Sequence, residues 1–303
     1  MLATQRQNRI LADVRAHGAV RVTDLVAELD VSDMTIRRDI SELARLGLVR
    51  RVHGGAVGPL VAREVDFAVK RTLAAEQKRA IARAALAWIS PGSSIAVSAG
   101  STTHLLAELV AADGSLRPLT VVTNSLPVAD PQHAASRRAG GRELDVVLTG
   151  GVRTPSDALV GPVADSALAL LQVDRAFLGV HGLGPDGLTT PNLLEAQTDR
   201  ALIACARDVV VLADHTKWGV IGLARIAPLE AVDVLICDAG LPDDARLVLE
   251  RSVERLVLAP LPTSTDRPSD QTSDQSSDTP TPPRADPRSS ARTADTAPER
   301  GAL

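Results

Sequence analysis

Residues 32–46, with the sequence SDMTIRRDISELARL, predict an amphipathic helix that decides how the first part of the chain folds. At about 100° per residue, Ile36, Ile40 and Leu43 fall in one narrow sector that must pack on neighbouring helices. Ser32 is suited to cap the start of this helix. The opposite side carries Met34, Arg38, Ser41 and Arg45, and Thr35 and Arg37 lie on the flanks.

Shorter segments on both sides of this helix complete a small domain. Apolar spacing predicts a helix that ends before Gly18 and a second short helix before residue 30. After Gly47, which ends the amphipathic helix, two short strands are separated by a turn. Three helices and a hairpin predict a winged helix-turn-helix over residues 1–58. The remaining segments of this domain are residues 10–14, 23–29, 48–52, 53–55 and 56–57.

The division of faces on the central helix is typical of a helix that reads DNA. An apolar back fixes its pose, while outward donors reach base edges and phosphates. Basic residues of the wing are placed for contact with the phosphate backbone. We therefore expect the DNA-binding residues to be Ser32, Thr35, Arg37, Arg38, Arg45, Arg50, Arg51 and His53. The same stripe also fits a small helical domain whose Arg side chains lie on a solvated face.

The charge distribution favours a nucleic-acid partner only weakly. Residues 1–58 carry nine Arg against seven acids, whereas residues 59–261 carry 19 Lys and Arg against 23 acids. A basic head on an acidic body favours a phosphate backbone as partner. Ordinary surface charge explains so small an excess equally well. The chain has four aromatic residues and no Tyr. Proteins that bind single-stranded nucleic acid stack its bases on aromatic side chains, so this class is not expected.

The middle of the chain alternates predicted strands and helices, which favours an α/β domain with a largely parallel sheet. The strands are expected at 94–98, 119–123, 144–149, 175–180, 209–213, 233–237 and 256–258. The helices are expected at 72–89, 103–111, 163–171, 193–206 and 243–252. We therefore predict a linker over residues 59–71 and an effector-sensing domain over residues 72–261. Residues 262–303, rich in Pro, Ser, Thr and Asp, predict a disordered tail.

Small and polar residues follow several of these strands. Gly100 lets the backbone come close to a ligand, and Ser101, Thr102 and Thr103 offer hydroxyl groups beside the free N–H groups of a helix start. Lys217, one of three lysines in the chain, follows another strand. This arrangement suits a phosphate group. Helix caps of Ser and Thr also occur for purely structural reasons, and Lys217 fits a surface pair with Asp214 equally well.

The first part of the chain resembles the DeoR family of bacterial repressors. The matching residues are Arg6, Ile10 and Val14 and then, after 17 residues, Ser32, Thr35, Ile36, Arg37, Arg38, Asp39 and Ile40. The stretch Leu48-Val49-Arg50-Arg51-Val52-His53-Gly54-Gly55-Ala56 is similar to that family's wing. The resemblance implies a sequence-specific, DNA-binding transcriptional regulator.

Later loops resemble the family's C-terminal sensor domain, which implies a fold like ribose-5-phosphate isomerase and the CoA transferases. The matching stretches are 100–103, 123–125, 149–151, 187–191, 194–196 and 214–217. In the family this domain binds a phosphorylated sugar or polyol. The resemblance implies that the effector-binding residues are Gly100, Ser101, Thr102, Thr103, Asn124, Gly151, Glu195, Asp214 and Lys217. Two positions depart from the pattern: Ser98 stands where the family usually has Asp, and Asp199 where it often has Lys.

Several other classes of protein are unfavourable interpretations. Cys205 and Cys237 have no Cys or His at metal-ligand spacing, and the six His are scattered, so we expect no metal, no other cofactor and no disulfide scaffold. The longest apolar runs are far shorter than the roughly 18 residues of a membrane span. The first ten residues contain no apolar signal core, so we expect a cytoplasmic protein.

These observations predict a regulator, and we expect a repressor of a carbohydrate-metabolism operon. Its partners would be double-stranded operator DNA, a phosphorylated sugar or polyol that releases it, and further copies of the same chain, since a single recognition helix usually needs a second half-site. We expect no catalytic residue. The alternative is an isomerase or a CoA-transferase-like enzyme that acts on a sugar phosphate, with Glu195 and Lys217 as acid and base.

Overall fold

The computed structural model describes residues 2–17, 19–52, 54–58, 67–138 and 143–261. Up to residue 58 it shows three helices and a three-stranded antiparallel sheet whose strand order is β1-β3-β2. The elements are α1 (Ala3–His17), β1 (Ala19–Arg21), α2 (Val22–Leu29), α3 (Asp33–Arg45), β2 (Arg50–Val52) and β3 (Gly55–Val57). The predicted winged helix-turn-helix is therefore confirmed.

The apolar stripe of α3 packs as its spacing predicts. Ile36, Ile40 and Leu43 are at most 2% exposed and share one core with residues of α1, α2 and the sheet. The Ser32 hydroxyl accepts a hydrogen bond from the Thr35 N–H at 3.2 Å, which caps the helix. Gly47 has a φ of 72°, a left-handed conformation that ends the helix.

Strand β1 was not predicted, because three residues are too few to show alternation. It pairs with β3, where Arg21 lies opposite Gly55. A Cβ atom at Gly55 would lie 2.0 Å from the Val20 carbonyl oxygen. The close approach of these two strands therefore requires glycine at this position.

The rest of the described chain forms an α/β fold around a seven-stranded, fully parallel sheet. Its helices are α4 (Phe67–Thr72), α5 (Ala75–Leu86), α6 (Ser101–Ala112), α7 (Leu126–Arg138), α8 (Pro162–Ala169), α9 (Leu193–Ala204) and α10 (Asp243–Ser252). The sheet, in spatial order, is β15 (Arg255–Ala259), β14 (Val234–Asp238), β12 (Ala206–Leu212), β9 (Val173–Gly179), β4 (Ser94–Val97), β5 (Leu119–Thr123) and β6 (Leu144–Leu148).

Helices cover both faces of this sheet. Apolar residues of α5, α6 and α7 form one core, and those of α8, α9 and α10 form the other. Successive residues of β9 alternate between them: Ala176 and Leu178 enter one core, and Phe177 enters the other. The predicted α/β domain with a parallel sheet is therefore confirmed.

Short antiparallel elements lie outside the main sheet and were not predicted. They comprise β7 (Val152–Arg153) paired with β8 (Leu159–Val160), and β10 (Gly182–Gly184) and β13 (Ala224–Ala227) on either side of β11 (Gly187–Thr190). Each is only two to four residues long, which leaves no periodic pattern in the sequence. Helix α7 was also missed, because Pro127 and Pro131 lie within it.

The helix expected at residues 72–89 is shorter than predicted, since α5 covers Ala75–Leu86 and a break separates it from the preceding helix α4. Helix α4 ends at Thr72, Ala74 has a φ of 49°, and α5 begins at Ala75. Of the predicted linker at 59–71, residues 59–66 lie outside the described chain and the remainder belongs to α4. The tail predicted at 262–303 also lies outside the described residues. Among the described helices, none combines the length and apolarity needed to cross a membrane.

Candidate functional site

The outer face of α3 presents the polar side chains that its periodicity predicts. Met34 is 75% exposed, and Arg38 and Arg45 are exposed as well. At the start of the helix, the hydroxyl oxygens of Ser32 and Thr35 lie 2.8 Å apart at the surface. This face has the donors and the open access that a helix needs in a DNA groove.

The three arginines of α3 differ in their partners. Arg37 binds the Asp33 carboxylate, with Nη2 3.2 Å from Oδ2, and Arg45 binds Glu42, with Nε 3.0 Å from Oε2. Within the described part of the chain, Arg38 forms no ion pair. Its guanidinium group is therefore the one on this helix that DNA can reach without breaking an existing pair.

The wing carries Arg50 and Arg51 on β2, and both are exposed. Neighbouring residues of a strand direct their side chains to opposite faces. The two arginines therefore do not point in the same direction, and the wing offers one of them to any single surface. His53, the third residue expected there, lies outside the described residues.

A buried ion pair that we did not predict joins α1 to α3. The Arg6 guanidinium binds the Asp39 carboxylate, and the two residues are 8% and 4% exposed. Gln7 Nε2 donates to the same carboxylate at 3.3 Å. The sequence holds one signal of this pair: on the helical wheel, Asp39 falls beside the apolar sector of α3, where an acid needs a partner.

A pocket lies at the carboxyl ends of three adjacent strands, β12, β9 and β4. The loops that follow these strands form its floor, as expected for ligand sites in parallel sheets. Further wall residues come from α4, the β7–β8 turn, β11 and α9. Its lining residues are Lys70, Ala99, Gly100, Ser101, Thr102, Ser156, Ala158, Gly179, Val180, His181, Thr190, Glu195, Asp199, Leu212 and Lys217.

The start of α6 forms one wall of this pocket. Ser101 and Thr102 occupy the first turn and are 8% and 6% exposed. The first N–H groups of a helix have no partner within it, and the helix dipole favours negative charge at this end. Lys217, in the short helical turn His215–Lys217 after β12, adds a cation to the same pocket. Together these groups suit a phosphate.

The Glu195 carboxylate is held by hydroxyl groups from three directions. Thr154 Oγ1 donates to Oε1 at 3.0 Å, the Ser156 hydroxyl donates to the same oxygen, and Thr190 Oγ1 donates to Oε2 at 3.0 Å. These bonds link α9 to β11 and to the β7–β8 turn. Glu195 therefore holds the walls of the pocket together besides facing its interior.

Asp199 lies one turn beyond Glu195 on α9 and also lines the pocket. Burial, followed by the nearby Glu195 carboxylate, raises the pKa of Asp199 well above its ordinary value, and Arg200 and Lys70 oppose this in part. A carboxyl group with a pKa shifted in this way, in a cleft and beside other titratable groups, is characteristic of a functional site.

We expect Asp199→Asn to stabilise the chain at neutral pH. Because its pKa is higher in the folded state than in the unfolded state, ionisation costs stability as the pH rises above about 4. A gain of about 1 kcal/mol would raise the melting temperature by roughly 2–4 °C at this chain length. Thermal melts between pH 7.5 and pH 4 measure this gain, which should shrink as the pH falls. The exposed Asp186→Asn is the control and should change little. A lower melting temperature for Asp199→Asn at pH 7.5 would contradict the interpretation.

Four expected effector residues do not line the pocket. The Thr103 hydroxyl donates to the Gly100 carbonyl at 3.0 Å. Asn124 Oδ1 accepts from the Ala99 N–H at 3.1 Å, and Asp214 Oδ1 accepts from the Thr216 N–H at 3.1 Å. Gly151 has a φ of 120°, and a Cβ atom there would lie 2.7 Å from the carbonyl oxygen of β8. These four residues shape the loops that surround the pocket.

Five polar or charged side chains that line the pocket were not among those expected. They are Lys70, Ser156, His181, Thr190 and Asp199. Lys70 was placed in the linker, and the others come from a turn, a strand end and a mid-helix position that the topology brings together. The sequence held two signals: Asp199 departs from the family pattern, and Thr190 lies in the matching stretch 187–191. Ser98, the other departure, is buried and accepts a hydrogen bond from the Gly179 N–H at 3.0 Å, which joins two strand ends.

Known proteins resemble the chain across both of its parts. A family model described as the DeoR-like helix-turn-helix domain matches residues 6–59, and one described as the DeoR C terminal sensor domain matches residues 73–239. The chain is 38% identical to the HTH-type transcriptional regulator GlpR of Haloferax volcanii, over 82% of this chain and 95% of that one. It is 31% identical to the glycerol-3-phosphate regulon repressor of Escherichia coli, over 82% of this chain and 96% of that one.

Solved structures show a more distant likeness. A D-ribose-5-phosphate isomerase in complex with phospho-erythronic acid aligns with 48% of this chain and 54% of its own, with a TM-score of 0.36 and 17% identity. That likeness carries no functional conclusion.

Proposed function

Because the chain belongs to the DeoR family of helix-turn-helix transcriptional regulators, we propose that it represses a carbohydrate-metabolism operon and that a phosphorylated sugar or polyol releases it. Residues 1–58 bind the operator, residues 59–71 link the two parts, residues 72–261 bind the effector, and residues 262–303 form a tail. The chain acts as a homo-oligomer, because each recognition helix reads one half-site.

One observation carries the proposal for the effector. Ser101 and Thr102 at the start of α6 and Lys217 after β12 line the same pocket. Hydroxyl groups, free helix N–H groups and a cation bind a phosphate strongly, and a neutral sugar would leave them without an anion. Glu195, Asp199 and Thr190 line the same pocket and offer acceptors and donors for the hydroxyl groups of a sugar or polyol. The name of the Escherichia coli relative, which refers to a phosphorylated polyol, supports the same class.

Calorimetric titration of the full chain tests this proposal. Glucose 6-phosphate and glycerol 3-phosphate are compared with glucose and glycerol. We expect at least one phosphorylated compound to bind, and its parent to bind more weakly by roughly 1–3 kcal/mol for each charge-assisted hydrogen bond lost. If neither phosphorylated compound binds at millimolar concentration, or if the parents bind equally well, the assignment of the pocket is wrong.

We predict that Arg38→Ala weakens operator binding by about 1–3 kcal/mol, because this arginine is exposed on α3 and suited to reading a base. The operator is first located by genome-wide footprinting, and the variant is then titrated against it and against mutated sites. Asp24→Ala, on the exposed surface of α2, is the control and should retain wild-type affinity. Unchanged affinity of Arg38→Ala would exclude Arg38 from the interface.

We predict a different effect for Arg51→Ala on the wing. A contact with the phosphate backbone does not depend on base sequence, so this variant should bind specific and non-specific DNA more weakly to a similar extent. The slope of log affinity against log salt concentration should also become smaller, by the amount that corresponds to about one phosphate contact. Arg50→Ala, on the opposite face of β2, is the matched comparison. A salt dependence unchanged in both variants would remove the wing from the interface.

The enzyme alternative has a direct test of its own. Glu195 and Lys217 line one pocket, but both Glu195 oxygens already accept hydroxyl hydrogen bonds from the walls. The two relatives that align with 82% of the chain are a regulator and a repressor by name. We therefore expect no turnover when the full chain is incubated with ribose 5-phosphate. Measurable isomerisation that is lost in Glu195→Gln would favour the enzyme.

A further inference from the structure

A buried ammonium group lies next to both the pocket and the DNA-binding domain. The Lys78 side chain on α5 is 2% exposed, and its Nζ donates to the carbonyl oxygens of Lys70 at 2.6 Å and Leu73 at 2.5 Å. The same Nζ lies 3.9 Å from Oδ2 of Asp214, whose side chain is 1% exposed. A buried charge is costly without compensating partners, so Lys78 holds these three groups in place.

Each of these three groups belongs to a segment that contacts either the pocket or the DNA-binding domain. The Lys70 side chain lines the pocket. Asp214 caps the turn that ends at Lys217, which also lines the pocket. Leu73 packs against the apolar core of the DNA-binding domain. The ammonium group of Lys78 is therefore the point at which two pocket segments and the support of the DNA-binding domain meet.

Helix α4 provides a second connection between the region of the pocket and Leu73. The Phe67 ring meets the His104 ring of α6 edge-on, with centroids 5.5 Å apart. Helix α6 begins at the loop that we assign to the phosphate. After α4 the backbone turns at Ala74, which has a φ of 49°, and α5 begins. The short helix α4 thus contacts α6 through Phe67, lines the pocket with Lys70, and leads directly to Leu73.

We propose that Lys78 is a positioning residue that couples occupancy of the pocket to the DNA-binding domain. The inference rests on the proposed function in that the pocket binds a ligand. A ligand that draws Lys70 or Lys217 toward itself shifts the carbonyl or the turn that Lys78 holds, and Leu73 carries this shift to the core of the helix-turn-helix. Such coupling is reciprocal, so operator binding weakens binding of the ligand by the same factor.

Hydrogen exchange on the full chain without any ligand is the first test. Lys78→Met removes the charge at similar side-chain length. We expect faster exchange in residues 67–74 and 214–217 and also in α1 and α3, because the DNA-binding core loses its support. Leu86→Ala, on the same helix but packed against the core of the parallel sheet, is the control and should leave α1 and α3 unchanged. If α1 and α3 exchange in Lys78→Met as in the wild type, the inference is overturned.

The second test measures the coupling itself, as the ratio of the operator Kd with glucose 6-phosphate or glycerol 3-phosphate to the operator Kd without it. We expect roughly 5–150-fold for the wild type, the usual range of such coupling, and less than about fivefold for both Lys78→Met and Leu73→Ala. If Lys78→Met fails to fold, the result for Leu73→Ala is the deciding one. Leu86→Ala should keep the wild-type ratio of operator Kd values. Full coupling in Leu73→Ala overturns the inference. If neither compound binds the wild type, the proposed function fails, and the exchange experiment still decides the role of Lys78.

Discussion

Asp39→Ala is expected to destabilise the DNA-binding domain by about 3–5 kcal/mol and to abolish operator binding. The substitution leaves the buried Arg6 guanidinium without its carboxylate, and an uncompensated charge inside a small core is among the most damaging single changes. It also removes one of the contacts between α1 and α3, which otherwise pack through their shared apolar core. Thermal melts followed by circular dichroism, together with operator titration, measure both effects.

An exposed ion pair on the same helix provides the control. Arg37 and Asp33 are paired, but their side chains are 50% and 56% exposed. Such surface pairs contribute little to stability, so Asp33→Ala should melt close to the wild type. A similar loss of stability in Asp33→Ala and Asp39→Ala would show that burial of the Arg6–Asp39 pair does not matter.

Lys217→Met is expected to make the regulator insensitive to its effector while operator binding persists. The substitution removes a cation from the pocket at similar side-chain length, and Lys217 is far along the chain from every residue of the recognition helix. Loss of a charge-assisted hydrogen bond weakens phosphate binding by roughly 1–3 kcal/mol. Titration of the variant with glucose 6-phosphate and glycerol 3-phosphate, with and without operator DNA, measures both properties.

A substitution that keeps the positive charge at position 217 shows whether Lys217 binds the phosphate or only supports the local structure. Lys217→Arg keeps a cation in the pocket and should recover part of the affinity for the phosphorylated compound, whereas Lys217→Met should not. Both variants should melt at similar temperatures. Binding of the phosphorylated compound by Lys217→Met at wild-type affinity would remove Lys217 from the phosphate site.

The sequence predicted the positions of the main strands but not their order. Apolar runs with polar ends mark all seven strands of the sheet, because both faces of a parallel sheet are buried. The order, in which β9 lies between β12 and β4, depends on contacts between distant segments. Asn124 and Gly151 were expected in the pocket because the family resemblance implied it, yet the strands that they follow, β5 and β6, lie toward one edge of the sheet.

For the pocket, too, the sequence predicted only those residues that have a local pattern. Ser101 and Thr102 could be identified because a helix start after a strand has a local pattern. Lys70 and Asp199 have no such local pattern, because one comes from a segment without periodicity and the other from the middle of a helix. The Arg6–Asp39 pair joins residues that are 33 positions apart, so only the packed domain reveals it.

The central claim is that a phosphorylated compound in the pocket lowers affinity for the operator. Fluorescence anisotropy of labelled operator DNA, titrated with the full chain in the presence of glucose 6-phosphate, glycerol 3-phosphate, glucose or glycerol, tests it most directly. We predict that a phosphorylated compound raises the operator Kd by roughly 5–150-fold and that its unphosphorylated parent leaves it unchanged. The same Kd in all four conditions, or release by an unphosphorylated parent, would contradict the account.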